Sequence, residues 1–181
     1  MSSSAKTYFG GPDKTKNLLR DTLVDYIQAV PANGNISWLC YYLHEPVIFQ
    51  ALIDASNRGV HIELTIDGRP RSPDINQACI DLFSQLNHPL IKIMIVKDTP
   101  VWEYFGIHWH AHLHSKLYFF SHPTPQILVG SYNPTAGLDD SNHTSIGKIG
   151  DHSVSHNVLV KIDDQDSVNH LKNYIADLHN N

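Results

Sequence analysis

The chain has little cysteine: Cys40 and Cys79 are the only two, each inside an apolar segment, with no metal-site spacing between them. That excludes a disulfide scaffold or a cysteine-built zinc site, and marks both as small buried hydrophobes in a reducing compartment. Long apolar runs are also missing. No stretch of 18 apolar residues occurs, so no membrane-spanning segment is expected. Residues 1–6 (MSSSAK) lack the apolar stretch of a secretory signal. The expected location is cytoplasmic, peripheral at a membrane surface at most. Basic residues are scarce, 13 Lys and Arg against 18 Asp and Glu for a net charge of −5. The chain as a whole is therefore no basic nucleic-acid glove, although a local groove can be positive on an acidic protein.

What is present fits a folded globular domain. Apolar residues make up 41% and charged residues 17% of 181 residues, which favours one domain over 1–181 with 1–12 as a loose lead. Asp13 is placed to cap a helix carrying Leu19, Leu23, Tyr26, Ile27 and Val30 at helical spacing. Ile36–Leu43 is nearly all apolar, as a strand buried on both faces requires. A helix from Glu45-Pro46 to Gly59 follows, then the alternating strand Val60–Ile66 closing at Asp67-Gly68. Ser72-Pro73 opens a helix to about Leu86, and Ile91–Val96 is a strand. Residues 97–110 read as a loop rich in Trp102, Tyr104, Phe105 and Trp109, residues 132–152 as a polar surface loop. Strands are expected over Leu113–Phe120, Gln126–Gly130 and Val158–Ile162, and a last helix over Asp166–Leu178. This rhythm predicts an α/β/α sandwich with a mixed, partly parallel sheet.

The chemistry concentrates in His114-Ser115-Lys116 and Gly130-Ser131-Tyr132-Asn133. A neutral imidazole is a nitrogen nucleophile near pH 7. An ammonium suits a phosphate oxygen, and a Gly-Ser-x-Asn turn adds neutral donors. Phosphoryl transfer needs that combination: one group to attack, others to hold negative charge as it spreads over oxygens. Lys116 precedes the apolar run Leu117-Tyr118-Phe119-Phe120, where an ammonium needs a partner and a substrate phosphate is a natural one.

The two motifs, preceded by Ala55-Ser56-Asn57-Arg58-Gly59-Val60 running into a strand that closes with Asp67, resemble the phospholipase D superfamily over roughly residues 17–178. The resemblance implies a phosphodiesterase in which His114 attacks phosphorus to form a phosphohistidine. Lys116 and Asn133 would bind the non-bridging oxygens and Ser131 would assist, with Tyr132, His112 and His110 lining the substrate site. It implies no metal and no other cofactor. A second histidine, from a second copy of the motif, would protonate the leaving oxygen, so the chain is expected to act as a homodimer or with a second motif-bearing half. A phospholipid is the preferred substrate. A metal-independent endonuclease acting on DNA or RNA is the alternative, and a catalytically inactive binding or assembly domain a second.

The sequence departs from the family pattern at three points. Ser121 occupies the place of the aspartate five residues after the lysine. Lys116 and Asn133 are 17 residues apart, longer than usual, a difference the turn at 122–125 absorbs. No glutamate precedes the last strand to orient the histidine, leaving His156, Asn157, or a carboxylate among Asp139, Asp140 and Asp151 for that task. Competing readings apply elsewhere. His108, His110, His112 and His114 at every second position would share one face of a strand and could chelate zinc. The competing reading of Asn133 is a cap on the Pro134 turn. Arg69 and Arg71 stand equally well as pocket or solvated surface, and Tyr41, Tyr42 and His44 read as core packing.

Overall fold

The structure, a computed structural model, describes residues 5–11, 17–70, 73–96, 101–136 and 156–180. The side chains of 101, 102, 104, 107–110, 179 and 180 fall outside that description, as do Asp13, Arg71, Ser72, Asp139, Asp140 and Asp151. Seven strands form one sheet in the order β1 (Lys6–Gly10), β9 (Asn157–Ile162), β8 (Gln126–Gly130), β7 (Leu117–Phe120), β2 (Asn35–Cys40), β3 (His61–Asp67) and β4 (Ile91–Val96). β2, β3 and β4 run parallel, joined by helices α2 (Pro46–Asn57) and α3 (Pro73–Leu86); the remaining pairs are antiparallel.

Period-two alternation sorts the side chains to the two faces. Ile36, Trp38 and Cys40 of β2, with Tyr118 and Phe120 of β7, pack with α1 (Leu18–Ala29), α2 and α3 in the larger core. The intervening Leu39 and Phe119 face the other way. They meet Val168, Leu171 and Ile175 of α4 (Gln165–Asn180) in a smaller cluster. This is the expected α/β/α layering about a mixed sheet. Both cysteines are buried. Among the described residues no helix is long and apolar enough to cross a membrane.

Helix ends follow local chemistry. Pro46 opens α2 and the Glu45 carboxylate accepts from the Val47 N–H at 3.3 Å. Gly59, at φ +95°, supplies the left-handed residue that turns the chain into β3. Asp164 caps α4 by accepting from the Ser167 N–H at 2.9 Å.

Three expectations need correction. Part of the supposed loose lead is β1, which pairs antiparallel with β9 from Lys6↔Lys161 to Gly10↔Asn157. So short a strand carries no periodic signal of its own and is fixed by its partner. Within 97–110, residues 101–110 form a hairpin, β5 (Val101–Tyr104) and β6 (Ile107–His110), separate from the main sheet. Phe105 and Gly106 turn it with positive φ. Most consequential, the strand expected over Leu113–Phe120 begins only at Leu117. Residues 111–116 are irregular, so the four alternating histidines do not share one strand face.

Candidate active site

The strand directions bring the chemistry-bearing residues to one end of the sheet. β2 runs into Tyr41, its parallel neighbour β3 closes on Asp67, antiparallel β7 starts just after Lys116, and β8 ends at Gly130. This is the carboxyl end of the parallel strands, beside the point where strand order reverses, where open α/β sheets form ligand crevices.

His114 and Lys116 meet there. The Lys116 ammonium donates to the His114 carbonyl oxygen at 2.9 Å and lies 3.1 Å from His114 Nε2. An ammonium has only donors, so at that distance Nε2 is the acceptor and the ring proton belongs on Nδ1. The tautomer with its lone pair on Nε2 is the nucleophilic form. His114 is exposed while Lys116 is 93% buried. The Tyr41 ring supports both: its centroid is 4.8 Å from that of His114 and 5.2 Å from Lys116 Nζ, a cation–π contact. Tyr41 also touches His112, at 5.5 Å between centroids. It is more than core packing, and its position immediately after a buried strand was the signal for it. Burial pushes the nearby Cys40 thiol up, with the Lys116 charge acting in the opposite direction.

Asp67 anchors the irregular segment. Its carboxylate is buried and accepts from the Leu113 N–H at 2.6 Å and the Arg69 N–H at 2.7 Å. His112 Nδ1 stands 3.5 Å from the same carboxylate, an electrostatic contact too long for a good hydrogen bond. Buried Asn76 of α3 braces the group, donating to the Tyr41 and Asp67 carbonyls at 2.8 and 2.9 Å and accepting from Leu43 N–H at 3.0 Å.

The second motif is shaped by close backbone approach. A Cβ on Gly130 would overlap the Val158 carbonyl, so only glycine fits. Ser131 donates to Asn157 Oδ1 at 2.8 Å and accepts from the Val158 N–H at 3.2 Å. Asn157 therefore braces Ser131. His156 packs against Gly11 at the β1–β9 margin. Tyr132, expected at the substrate, is fully buried in the larger core, its carbonyl accepting from Tyr118 Oη at 2.6 Å. Alternation after Gly130 turns Ser131 outward and Tyr132 inward. Asn133 is half-buried, and the residues after it are held to the segment between β2 and α2, the His44 N–H donating to the Pro134 carbonyl at 2.8 Å and the His44 carbonyl accepting from the Ala136 N–H at 2.6 Å.

His110 ends β6, and its side chain lies outside the described residues. Among the described residues no three His, Cys, Asp or Glu side chains are grouped to hold a metal ion. Ser121 is at the far end of β7, accepting from the Asn35 N–H at 2.8 Å. A cavity of about 550 Å³ opens at that same far end, against α4, lined by Ser37, Glu63, Lys92 and Lys172 among others.

A mixed sheet between two helical layers, with His-x-Lys and Gly-Ser-x-Asn converging on one end, defines a phospholipase D-type domain. The family model described as cardiolipin synthase, PLD-like domain, matches residues 26–179, and the chain belongs to that phospholipase D-like family. No curated protein matches the sequence. The fold is similar to that of NucT from Helicobacter pylori, with TM-score 0.69, 13% identity, and coverage of 98% of this chain and 97% of that one. It is similar also to Nuc from Salmonella typhimurium, a phospholipase D family member, with TM-score 0.67, 18% identity and coverage of 98% and 95%. Phosphatidylserine synthase from Haemophilus influenzae shares the fold at TM-score 0.55 and 13% identity, with this chain covering 38% of its length.

Proposed function

We propose that this single domain is a phosphodiesterase that works through a phosphohistidine on His114. The observation that carries this reading is the pairing of His114 Nε2 with the Lys116 ammonium at 3.1 Å over the Tyr41 ring. When the Lys116 ammonium turns from Nε2 to a phosphate oxygen, the freed Nε2 lone pair forms a bond to phosphorus as the ester P–O bond breaks. Lys116, with Asn133 and Ser131, holds the non-bridging oxygens as their charge grows. The His114 of a second copy acts as imidazolium: its Nε2–H gives a proton to the leaving oxygen, and the neutral ring then takes one back from the water that cleaves the N–P bond, so that proton transfers balance over the cycle. A single motif supplies a single such imidazole, which is why a homodimer with facing sites is part of the proposal.

A phospholipid is the favoured substrate. The net charge of −5 disfavours a long polyanion, and the matching family model carries the name of a lipid-metabolising enzyme. The second reading is a metal-independent endonuclease. Its support is the likeness to NucT and Nuc, of which this chain covers 97% and 95%.

The test is hydrolysis of bis-p-nitrophenyl phosphate in chelator, with an alkaline denaturing quench, which spares the acid-labile P–N bond, and digestion to locate the adduct. The expected result is turnover that vanishes in His114→Ala and, in the wild-type protein, a p-nitrophenylphosphoryl group trapped on His114 after loss of one p-nitrophenolate. Absence of hydrolysis would favour an inactive binding domain, and an adduct elsewhere would overturn the mechanism. Salt separates the substrates: nucleic-acid binding collapses between low and moderate salt, whereas lipid hydrolysis responds to the vesicle surface.

A further inference from the structure

We infer that Asp67 is a positioning residue for this reaction: it holds the backbone ahead of His114 rather than the imidazole itself. The inference rests on the phosphohistidine reading above.

Three observations carry it. Residues 111–116 have no strand ladder to hold them, yet the reactive imidazole sits within them. Both Asp67 oxygens accept backbone N–H groups, and one of these, the 2.6 Å bond to Leu113, reaches across 46 positions to the residue immediately before His114. Carboxylate-to-amide bonds of this length are the stronger kind. The carboxylate is also buried, 1% exposed at the end of β3, and Asn76 ties the Asp67 and Tyr41 backbone carbonyls together. Tyr41 carries the His114 ring, so both supports of the nucleophile trace to one buried polar cluster. The same carboxylate faces His112 Nδ1 at 3.5 Å and sets the side on which that ring lies.

Asp67→Asn is nearly isosteric but puts an amide N–H₂ where one backbone N–H was accepted, so one of the two bonds is lost. Misplacement of a reacting group by about 1 Å costs roughly 100-fold. The expected result on bis-p-nitrophenyl phosphate is a fall in kcat of about tenfold to 100-fold with KM within about threefold. The comparator Ser56→Ala, which removes a buried hydroxyl of α2 bonded to the Ile53 carbonyl at 2.8 Å, should leave kcat unchanged. A second variant replaces the Leu113 amide with the ester of leucic acid, deleting the single N–H while leaving Asp67 in place, and should show the same split. It carries the test if Asp67→Asn fails to fold. Two NMR readouts need no turnover: in the wild-type protein a downfield Leu113 amide proton, and in the ester variant displaced His114 ring nitrogens. Wild-type turnover with kcat within twofold in a folded variant would overturn the inference, as would an ordinary Leu113 amide shift or unmoved ring nitrogens. A wild-type protein without turnover defeats the phosphodiesterase reading instead, and the NMR readouts then decide the positioning role alone.

Discussion

The two ends of β7 carry the two halves of one sequence motif, and they are built differently. At the start of the strand, Lys116 is buried against Tyr41 and His114, in an irregular segment held by a carboxylate from β3. At the finish, Ser121 exchanges ordinary bonds with Asn35, its N–H donating to the Asn35 carbonyl at 3.0 Å and its hydroxyl accepting at 2.8 Å. Five residue steps across the four residues of β7 separate the ends by about 16 Å, too far for a side chain at 121 to touch a phosphate held by Lys116. An aspartate there, as in the family pattern, would accept the same Asn35 N–H. Its replacement by serine preserves that bond and leaves the reactive end untouched.

The strongest way to break this comparison is at the reactive end. His114→Ala should lower turnover by about 10⁴-fold or more with only a small drop in melting temperature, since the exposed ring gives up its contacts with Tyr41 and Lys116 but no core packing. Residual turnover near wild type would remove His114 from the chemistry. Lys116→Met keeps the length but not the charge, and should cost about 100-fold to 1,000-fold in kcat, the scale of losing one preorganised charge-stabilising group. A variant that keeps its rate would show that the ammonium only packs on Tyr41.

Stability probes sharpen the contrast. Gly130→Ala forces a Cβ into the Val158 carbonyl and should destabilise by about 3 kcal/mol or unfold the β8–β9 end, read by urea denaturation. At the other end, Ser121→Ala should cost about 1 kcal/mol through the orphaned Asn35 N–H while kcat holds. Ser121→Asp should leave kcat within about twofold, since it restores the same acceptor far from the phosphate. A large rate change in either variant would join the two ends that the geometry separates.

The smallest effect lies outside both ends. The Ser167 N–H and side chain hold the Asp164 carboxyl below the usual carboxylate range. A depressed folded-state pKa gives stability that is present above the unfolded value of about 4 and is lost as pH falls through the folded one. The melting temperature of Asp164→Ala should therefore sit slightly below wild type at pH 6 and converge with it toward pH 2. A gap that widens on acidification would contradict the cap.

Much of the frame was legible because its signals are local. Pro46 and Gly59 bracket α2, alternation in β3 is visible residue by residue, and the His-x-Lys and Gly-Ser-x-Asn motifs name their chemistry by composition. What was misread depended on partners distant in sequence. β1 exists by pairing with β9, and the segment 111–116 leaves strand geometry where Asp67 draws the Leu113 N–H. Tyr132 looked available beside Ser131 but points the opposite way, into the core.

The sequence alone determined the order of helices and strands from α1 to β4 and from β7 to α4, the family, and which side chains carry an attackable or charge-holding atom, because each depends on residue type and short-range periodicity. Tertiary structure alone decided that Tyr41 bears His114 and Lys116, that Asn157 braces Ser131, and that Asp67 pins the loop. The physical reason is the same for all three. A hydrogen bond or ring contact between residues tens of positions apart has no trace in local pattern, and exists only when the sheet brings those strand ends together.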